Sequence, residues 1–347
     1  MHAPSLTALL ATGMLVSLST TTQAATGCQL LQVGELQVTM PDNAPVVPAS
    51  IEGHAVQMLV DTGADKSLIW RSATKDLNLS IQPGGPTFYG AGGGDTAGLV
   101  WIHDFGLAGT TVHNVQLYTT GRGALPGAAA GVLGEDVLSR WDIEFDLSAG
   151  KIRLFVPKNC KGDEVVYWAT SYFMTKLVAP PGNSDLLETT VRLNGQEAVA
   201  MLDTGASASV VTAQALRQAG VTAESPVTTS DPTRGIVGKP INTSIAVFAS
   251  LSIGQETIQN VKLRIADLFG RDTEVHTGSA IAQSMFKGPE MLIGADFFLA
   301  HRILVSRSQG RIYFTYKGGP IFQRIAPEAT APAAPPGESG TGTPKQQ

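Results

Sequence analysis

One seven-residue pattern occurs twice in this chain, and it constrains the fold more than any other feature. Met58-Leu59-Val60-Asp61-Thr62-Gly63-Ala64 returns as Ala200-Met201-Leu202-Asp203-Thr204-Gly205-Ala206, at an offset of 203 − 61 = 142. Gly53 and Gly195 share that offset, each in a turn just before the apolar run. Later in each half, Gly131-Val132-Leu133-Gly134-Glu135-Asp136 matches Met291-Leu292-Ile293-Gly294-Ala295-Asp296, now at 296 − 136 = 160. The second offset also pairs Ile143 with Ile303, Phe145 with Val305, and Gly150-Lys151-Ile152 with Gly310-Arg311-Ile312. A duplicated pattern is a duplicated structural unit, so two similar lobes are expected. The second half carries 160 − 142 = 18 extra residues, expected between Ala266 and Glu290.

The unit reads as β. Short apolar or alternating runs bounded by turn residues mark strands. In the first half these are Val56 to Val60, Ser67 to Trp70, Val112 to Tyr118, Ile143 to Phe145 and Ile152 to Val156. In the second half they are Val199 to Leu202, Ser209 to Thr212, Ser244 to Phe248, Ile258 to Ile265 and Ile312 to Tyr316. Helices are few and short: residues 135–140, residues 295–300, and Thr212 to Ala219, which has Thr212 as N-cap and stops at Gly220. Glycine supports many turns, with 38 among 347 residues, about 11% against a usual ~7%. An apolar fraction of 43% with a net charge of only −5 excludes a largely disordered chain. Lys plus Arg number 24 against 29 acidic residues, which argues against a broad face for nucleic acid or anionic lipid. Trp70, Trp101, Trp141 and Trp168 are therefore expected in cores or interfaces and not as base-stacking platforms.

The ends are different in kind. Ser5 to Leu18 is apolar and free of Lys, Arg, Asp and Glu, with small residues at Ala24 and Ala25. It resembles a secretory signal, so residues 1–25 are expected to be removed and the chain exported to the periplasm or beyond. No later stretch qualifies as a transmembrane helix. Two cysteines remain, Cys28 and Cys160. Export and an even count predict a disulfide between them. Lipid attachment at Cys28, after Ala25-Thr26-Gly27, is the alternative. Lys158 to Asp185, with Pro180-Pro181-Gly182, reads as a connection between lobes. The expected layout is a first lobe over 26–157, the connection over 158–185, a second lobe over 186–324, and a disordered Pro/Ala/Gly tail over 325–347.

Asp-Thr-Gly at the end of an apolar strand carries a carboxylate to a desolvated place. Gly lets the chain turn in conformations other residues resist, and Thr offers a hydroxyl to bridge loops. One copy suits an ordinary turn; two copies with matching flanks are far more specific. The motifs VDTGA and LDTGA, each followed by VLGED or LIGAD, make the chain resemble a retropepsin-like aspartic protease with both lobes in one polypeptide. LSRWDIEFDLSAGKIRLF and LAHRILVSRSQGRIYF are similar to exported bacterial members. The resemblance spans residues 46–317. It implies an all-β fold of two similar β-barrel lobes, with a Gly-rich flap over the cleft between them.

The resemblance further implies that Asp61 and Asp203 form a catalytic dyad, supported by Thr62, Gly63, Thr204 and Gly205. Two carboxyls in contact cannot both ionise, so they share a proton, activate water and hydrolyse a peptide bond without a covalent intermediate. Flap candidates lie between the motifs: Tyr89, Gly92 and Gly93 in the first half, Ile236 and Gly238 in the second. Tyr89 is placed either to hydrogen-bond near the cleft or simply to pack. The substrate is expected to be an extended peptide or protein segment, the molecule a monomer, and no metal or organic cofactor is implied. The six histidines form no HExxH motif or close metal pair, and no G-x-S-x-G occurs. The competing reading is a peptide- or protein-binding module of the same fold without catalysis.

Overall fold

The computed structural model describes residues 27–90, 93–121, 125–180, 182, 184–221, 233–234, 240–241, 243–266 and 288–322. The expected leader (1–25), the expected tail (325–347) and most of the expected insertion lie outside these residues.

Along the chain, β1 (Gln29–Gln37) comes first. β2 (Val46–Ile51), β3 (His54–Val60) and β4 (Leu68–Trp70) lead into helix α1 (Arg71–Asp76). β5 (Ile81–Gln82) is followed by a small hairpin, β6 (Thr87–Gly90) with β7 (Gly93–Thr96), then by β8 (Gly98–Leu107), β9 (Thr110–Thr120) and β10 (Gly131–Leu133). Helix α2 (Glu135–Leu138), β11 (Asp142–Asp146), β12 (Lys151–Lys158) and β13 (Phe173–Lys176) follow. The second half runs β14 (Glu188–Leu193), β15 (Gln196–Leu202), β16 (Val210–Thr212), helix α3 (Ala213–Gln218), β17 (Thr233–Arg234) and β18 (Pro240–Ile241). It ends with β19 (Thr243–Ile253), β20 (Glu256–Ala266), β21 (Met291–Ile293), helix α4 (Ala295–Ala300), β22 (His301–Ser306) and β23 (Arg311–Tyr316).

Two six-stranded barrels result. β2-β3-β10-β4-β9-β8 closes through a β2–β8 pairing, with β5 added at its side, and β14-β15-β21-β16-β20-β19 closes likewise. Closure leaves no open edge. Each barrel begins with a two-residue hairpin turn, Glu52-Gly53 and Asn194-Gly195, with φ of 49° and 77° in the first and 50° and 82° in the second. Positive φ at both positions is the mirror-image turn that matches strand twist, and glycine takes the second place without steric cost. Downstream, β10 lies parallel to β3 and antiparallel to β4. β21 does the same between β15 and β16. The apolar Val132-Leu133 and Leu292-Ile293 steps therefore thread beneath the two Asp-Thr-Gly loops.

A third sheet joins the lobes, in the order β1-β12-β11-β22-β23-β13. At its centre Ile143 pairs with Val305, Glu144 with Leu304, and Phe145 with Ile303. Ile143 pairs with the repeat counterpart of Phe145, Phe145 with that of Ile143, and Glu144 with its own, the self-complementary pattern of a two-fold axis. Buried Glu144 accepts hydrogen bonds from Arg153, Arg302 and the Tyr167 hydroxyl, and so is neutralised where it crosses that axis. Residues 159–172 cover this sheet. Val165 and Val166 pack on Phe155, Leu304 and Tyr313, the Trp168 indole donates to Thr315, and a Cys28–Cys160 disulfide pins the layer to β1. No helix among the described residues is long and apolar enough to cross a membrane.

Several elements were not legible beforehand. β1 is a polar edge strand whose alternation breaks at a bulge between Gln32 and Gly34. β8 buries Val100 and Ile102 but leaves Trp101 exposed, which blurs its alternation. β13, inside the expected connection, is a strand because β23 offers it an edge. α1 was within reach: Arg71 plus the first offset of 142 is Ala213, the start of α3.

Candidate active site

The end of β3 becomes wholly apolar and buried at Met58, Leu59 and Val60, as does that of β15 at Met201 and Leu202. Each strand then delivers an aspartate to the boundary between the lobes. The Asp61 amide donates to the Leu133 carbonyl (3.0 Å), and the Asp203 amide to that of Ile293 (2.9 Å). Gly134 and Gly294 close these corners: a Cβ there would meet the Ala64 carbonyl at 2.6 Å and the Ala206 carbonyl at 2.7 Å.

The two loops interlock. The Thr62 amide donates to the Thr204 hydroxyl (3.1 Å) and the Thr204 amide to the Thr62 hydroxyl (3.0 Å). Thr62 Oγ1 donates to the Leu202 carbonyl (2.8 Å), and Thr204 Oγ1 to the Val60 carbonyl (2.7 Å). Both threonines are fully buried, so each of these bonds is shielded from water and costly to leave unmade.

The glycines act differently from expectation. Gly63 and Gly205 do not have positive φ. They are needed for space, because a Cβ on Gly63 would lie 2.5 Å from the Asp203 carboxyl carbon and one on Gly205 2.3 Å from that of Asp61. Each glycine thus faces the opposite aspartate, which brings the two carboxyls into hydrogen-bonding reach of each other. Asp61 Oδ1 accepts from the Gly63 amide (2.9 Å) and Asp203 Oδ1 from that of Ala206 (3.0 Å). Burial, then the neighbouring Asp203, holds Asp61 well above the ordinary carboxylate range. Asp203 is also raised, chiefly by burial, with backbone donors pulling the other way.

Of the flap candidates, Tyr89 and Gly93 lie in the β6–β7 hairpin, where Tyr89 pairs with Gly94 and Gly90 with Gly93. Gly92, Ile236 and Gly238 lie outside the described residues. The hairpin is rooted on the wall that carries Asp61. Phe88 meets Tyr118 edge to face at 5.1 Å and packs on the apolar group containing Leu59 and Val132. Arg71 Nη2 donates to the Thr96 carbonyl (2.8 Å), and the Thr120 hydroxyl donates to Asp95 (2.7 Å). In the second half, β17 and β18 form a shorter hairpin through Thr233–Ile241 and Arg234–Pro240.

Two serine–aspartate clamps behind the loops were missed. The Ser67 hydroxyl donates to Asp136 (2.7 Å) and accepts from the Gly134 amide (3.0 Å). The Ser209 hydroxyl donates to Asp296 (2.6 Å) and accepts from the Gly294 amide (2.9 Å). Their signal was in the repeat, since 209 − 67 = 142 and 296 − 136 = 160. Arg71 and Asp95 were missed too, because their part at the hairpin root depends on distant strands.

A family model described as aspartyl protease matches residues 47–137 and 189–297, together more than half of the chain. No functionally curated protein matches it. Among solved structures, the aspartic proteinase from Irpex lacteus aligns over 82% of this chain and 97% of its own, at 13% identity and a TM-score of 0.51. At that identity the likeness speaks to the fold alone. The retropepsin-like aspartic protease from Rickettsia conorii aligns over 38% of this chain and 95% of its own, at 16% identity and a TM-score of 0.28, too low to carry weight. With one family match in each half, two closed barrels and two Asp-Thr-Gly loops, the chain belongs to the aspartyl protease family, in a two-lobed, retropepsin-like form.

Proposed function

We propose that the protein is an aspartic endopeptidase in which Asp61 and Asp203 jointly activate water against a peptide bond. One observation carries this reading: two carboxyls from symmetric loops meet within hydrogen-bonding reach, and both are raised. Such a pair holds one proton between two sites. The ionised member takes a proton from a bound water as the water oxygen attacks the carbonyl carbon. The protonated member gives its proton to the carbonyl oxygen, forming a tetrahedral diol. Collapse of the diol breaks the C–N bond as one hydroxyl proton returns to the member that gave it, and the proton gained from water passes to the leaving nitrogen. The threonine interlock holds both carboxyls in register, so little reorganisation accompanies the reaction.

The substrate is an extended peptide segment, paired with the backbone of the β6–β7 hairpin through strand-type hydrogen bonds. Export fits the Cys28–Cys160 disulfide, which suits an oxidising compartment. The test is a peptide-library digest with wild type, Asp61→Asn and Asp203→Asn. Wild type should cleave within peptides and be blocked by a statine-type mimic. Either substitution alone should cost at least ~1,000-fold, and the pair little more, because the dyad acts as a unit. Peptide binding without cleavage by wild type would instead identify a binding module. Cleavage surviving in Asp61→Asn would end the dyad reading.

A further inference from the structure

The duplication makes each half a control for the other, and the halves differ at one buried spot behind the aspartates. Glu135 follows Gly134, and its counterpart at 135 + 160 = 295 is Ala295. Arg307 opens a helical turn (Arg307–Gln309), and its counterpart at 307 − 160 = 147 is Leu147, which opens the turn Leu147–Ala149. In one half the contact between α4 and that turn is apolar, with Ala295 and Leu147 both buried. In the other it is charged: Arg307 Nη2 donates across the lobe boundary to Glu135 Oε2. Glu135 is fully buried, and its Oε1 has no hydrogen-bond partner among the described residues. Burying charge is expensive, and the Ala–Leu version shows that packing does not require it.

The Glu135 amide donates to the Ala64 carbonyl (2.8 Å), and the Ala64 amide to the Asp61 carbonyl (3.2 Å). The charged pair stands behind the Asp61 loop alone, since the same backbone relay behind Asp203 starts from Ala295. Charge on Glu135 opposes ionisation of Asp61, whereas Asp203 answers to burial, to the Ala206 and Gly205 amides, and to a hydrogen bond from Asp61. Arg307, Asp185 and Asp136 are the charged groups that act on Glu135.

We propose that Glu135, held across the lobe boundary by Arg307, is a positioning residue whose carboxylate, once formed, keeps the shared proton on Asp61, leaves Asp203 as base, and extends hydrolysis toward alkaline pH. The proposal rests on the dyad reading above. Burial holds the Glu135 carboxyl up to about 8, against the pull of Arg307. In acid it is neutral and does not act on the dyad. As pH rises it loses its proton to solvent, and the new charge makes Asp61 hold its own proton longer.

The test measures kcat/KM against pH for wild type, Glu135→Gln, Arg307→Met and the double variant. Carbon-13 titration of the aspartate carboxyls accompanies it, assigned with Asp61→Asn and Asp203→Asn. In Glu135→Gln the alkaline limb should fall by about one pH unit, with the acid limb unmoved, and the Asp61 titration should move down while Asp203 stays. Arg307→Met should shift the alkaline limb the same way, because Glu135 then ionises later. The double variant should shift no further than Glu135→Gln alone. An unmoved alkaline limb and an unmoved Asp61 titration in either folded single variant would overturn the coupling while leaving hydrolysis standing. A uniform drop in kcat without a limb shift would mean a packing role and overturn it too. Absence of hydrolysis in wild type would remove the dyad reading, and the titration would still decide the coupling.

Discussion

At the scale of single residues, the site depends on atoms that are absent as much as on those present. Gly63 and Gly205 face the opposing carboxyls at distances no Cβ tolerates. Gly63→Ala or Gly205→Ala should therefore push the aspartates apart and lower kcat by roughly 100-fold or more, the usual result of a misplacement near 1 Å. Steady-state kinetics beside circular dichroism would show it, and near-normal kcat would mean that the carboxyls need no close contact. Thr62 makes the complementary case. Its hydroxyl serves both the Leu202 carbonyl and the Thr204 amide. Thr62→Val leaves both unpaired in a dry place and should cost roughly 2–4 kcal/mol. Thr62→Ser should keep most of the stability, and denaturant titration of the two variants separates hydroxyl from methyl.

At the scale of elements, the strands that carry chemistry are buried on both sides and the ones that seal the molecule are not. β3 and β15 end in apolar runs, and those runs were readable because burial on every side leaves no polar position. β1 and β13 hold the edges of the sheet that joins the lobes, and their sequences carry little periodicity. What ties β1 down is the disulfide, which closes a separation of 132 residues. Cys28→Ser with Cys160→Ser should lower stability by up to ~5 kcal/mol through loop entropy. It should leave kcat/KM unchanged at low temperature, because the bond lies on the covering layer away from the aspartates. Loss of activity in a folded double variant would show that the layer governs the cleft.

At the scale of the whole molecule, the pseudo-two-fold sets the pH behaviour. Asp61, Asp203 and Glu135 are all raised. A raised carboxyl binds its proton more tightly folded than unfolded, so its stabilisation is complete below the unfolded value and lost as pH rises through the folded one. Glu35 runs the opposite way, lowered through its hydrogen bond and charge contact with Lys151 and Arg153. It is half-buried and one of its partners, Lys151, is half-buried too, so solvent screening keeps its share small. The thermal midpoint should therefore fall from mildly acidic toward alkaline pH. Asp61→Asn should flatten that slope and become the more stable protein near pH 8, with the gap closing in acid. Calorimetry across pH checks this, and parallel curves would show that the dyad contributes no linkage. Hydrolysis itself should follow a bell, since the base is lost in acid and the acid in alkali.

The sequence by itself determined the duplication, the β character of the repeat and the two Asp-Thr-Gly loops. It could do so because each is local: a run of apolar residues, a turn, a motif and an offset. It also contained the serine–aspartate clamps and α1 in the same offsets, unread. The tertiary structure alone decided why Gly63 and Gly205 must be glycine, since the obstacle is a carboxyl 203 − 63 = 140 residues away in the chain for one and 205 − 61 = 144 for the other. It alone placed Glu135 against Arg307, a pair separated by 172 positions. Contacts made across a pseudo-two-fold axis join residues with no sequence proximity, and their energies depend on burial that only the closed barrels create.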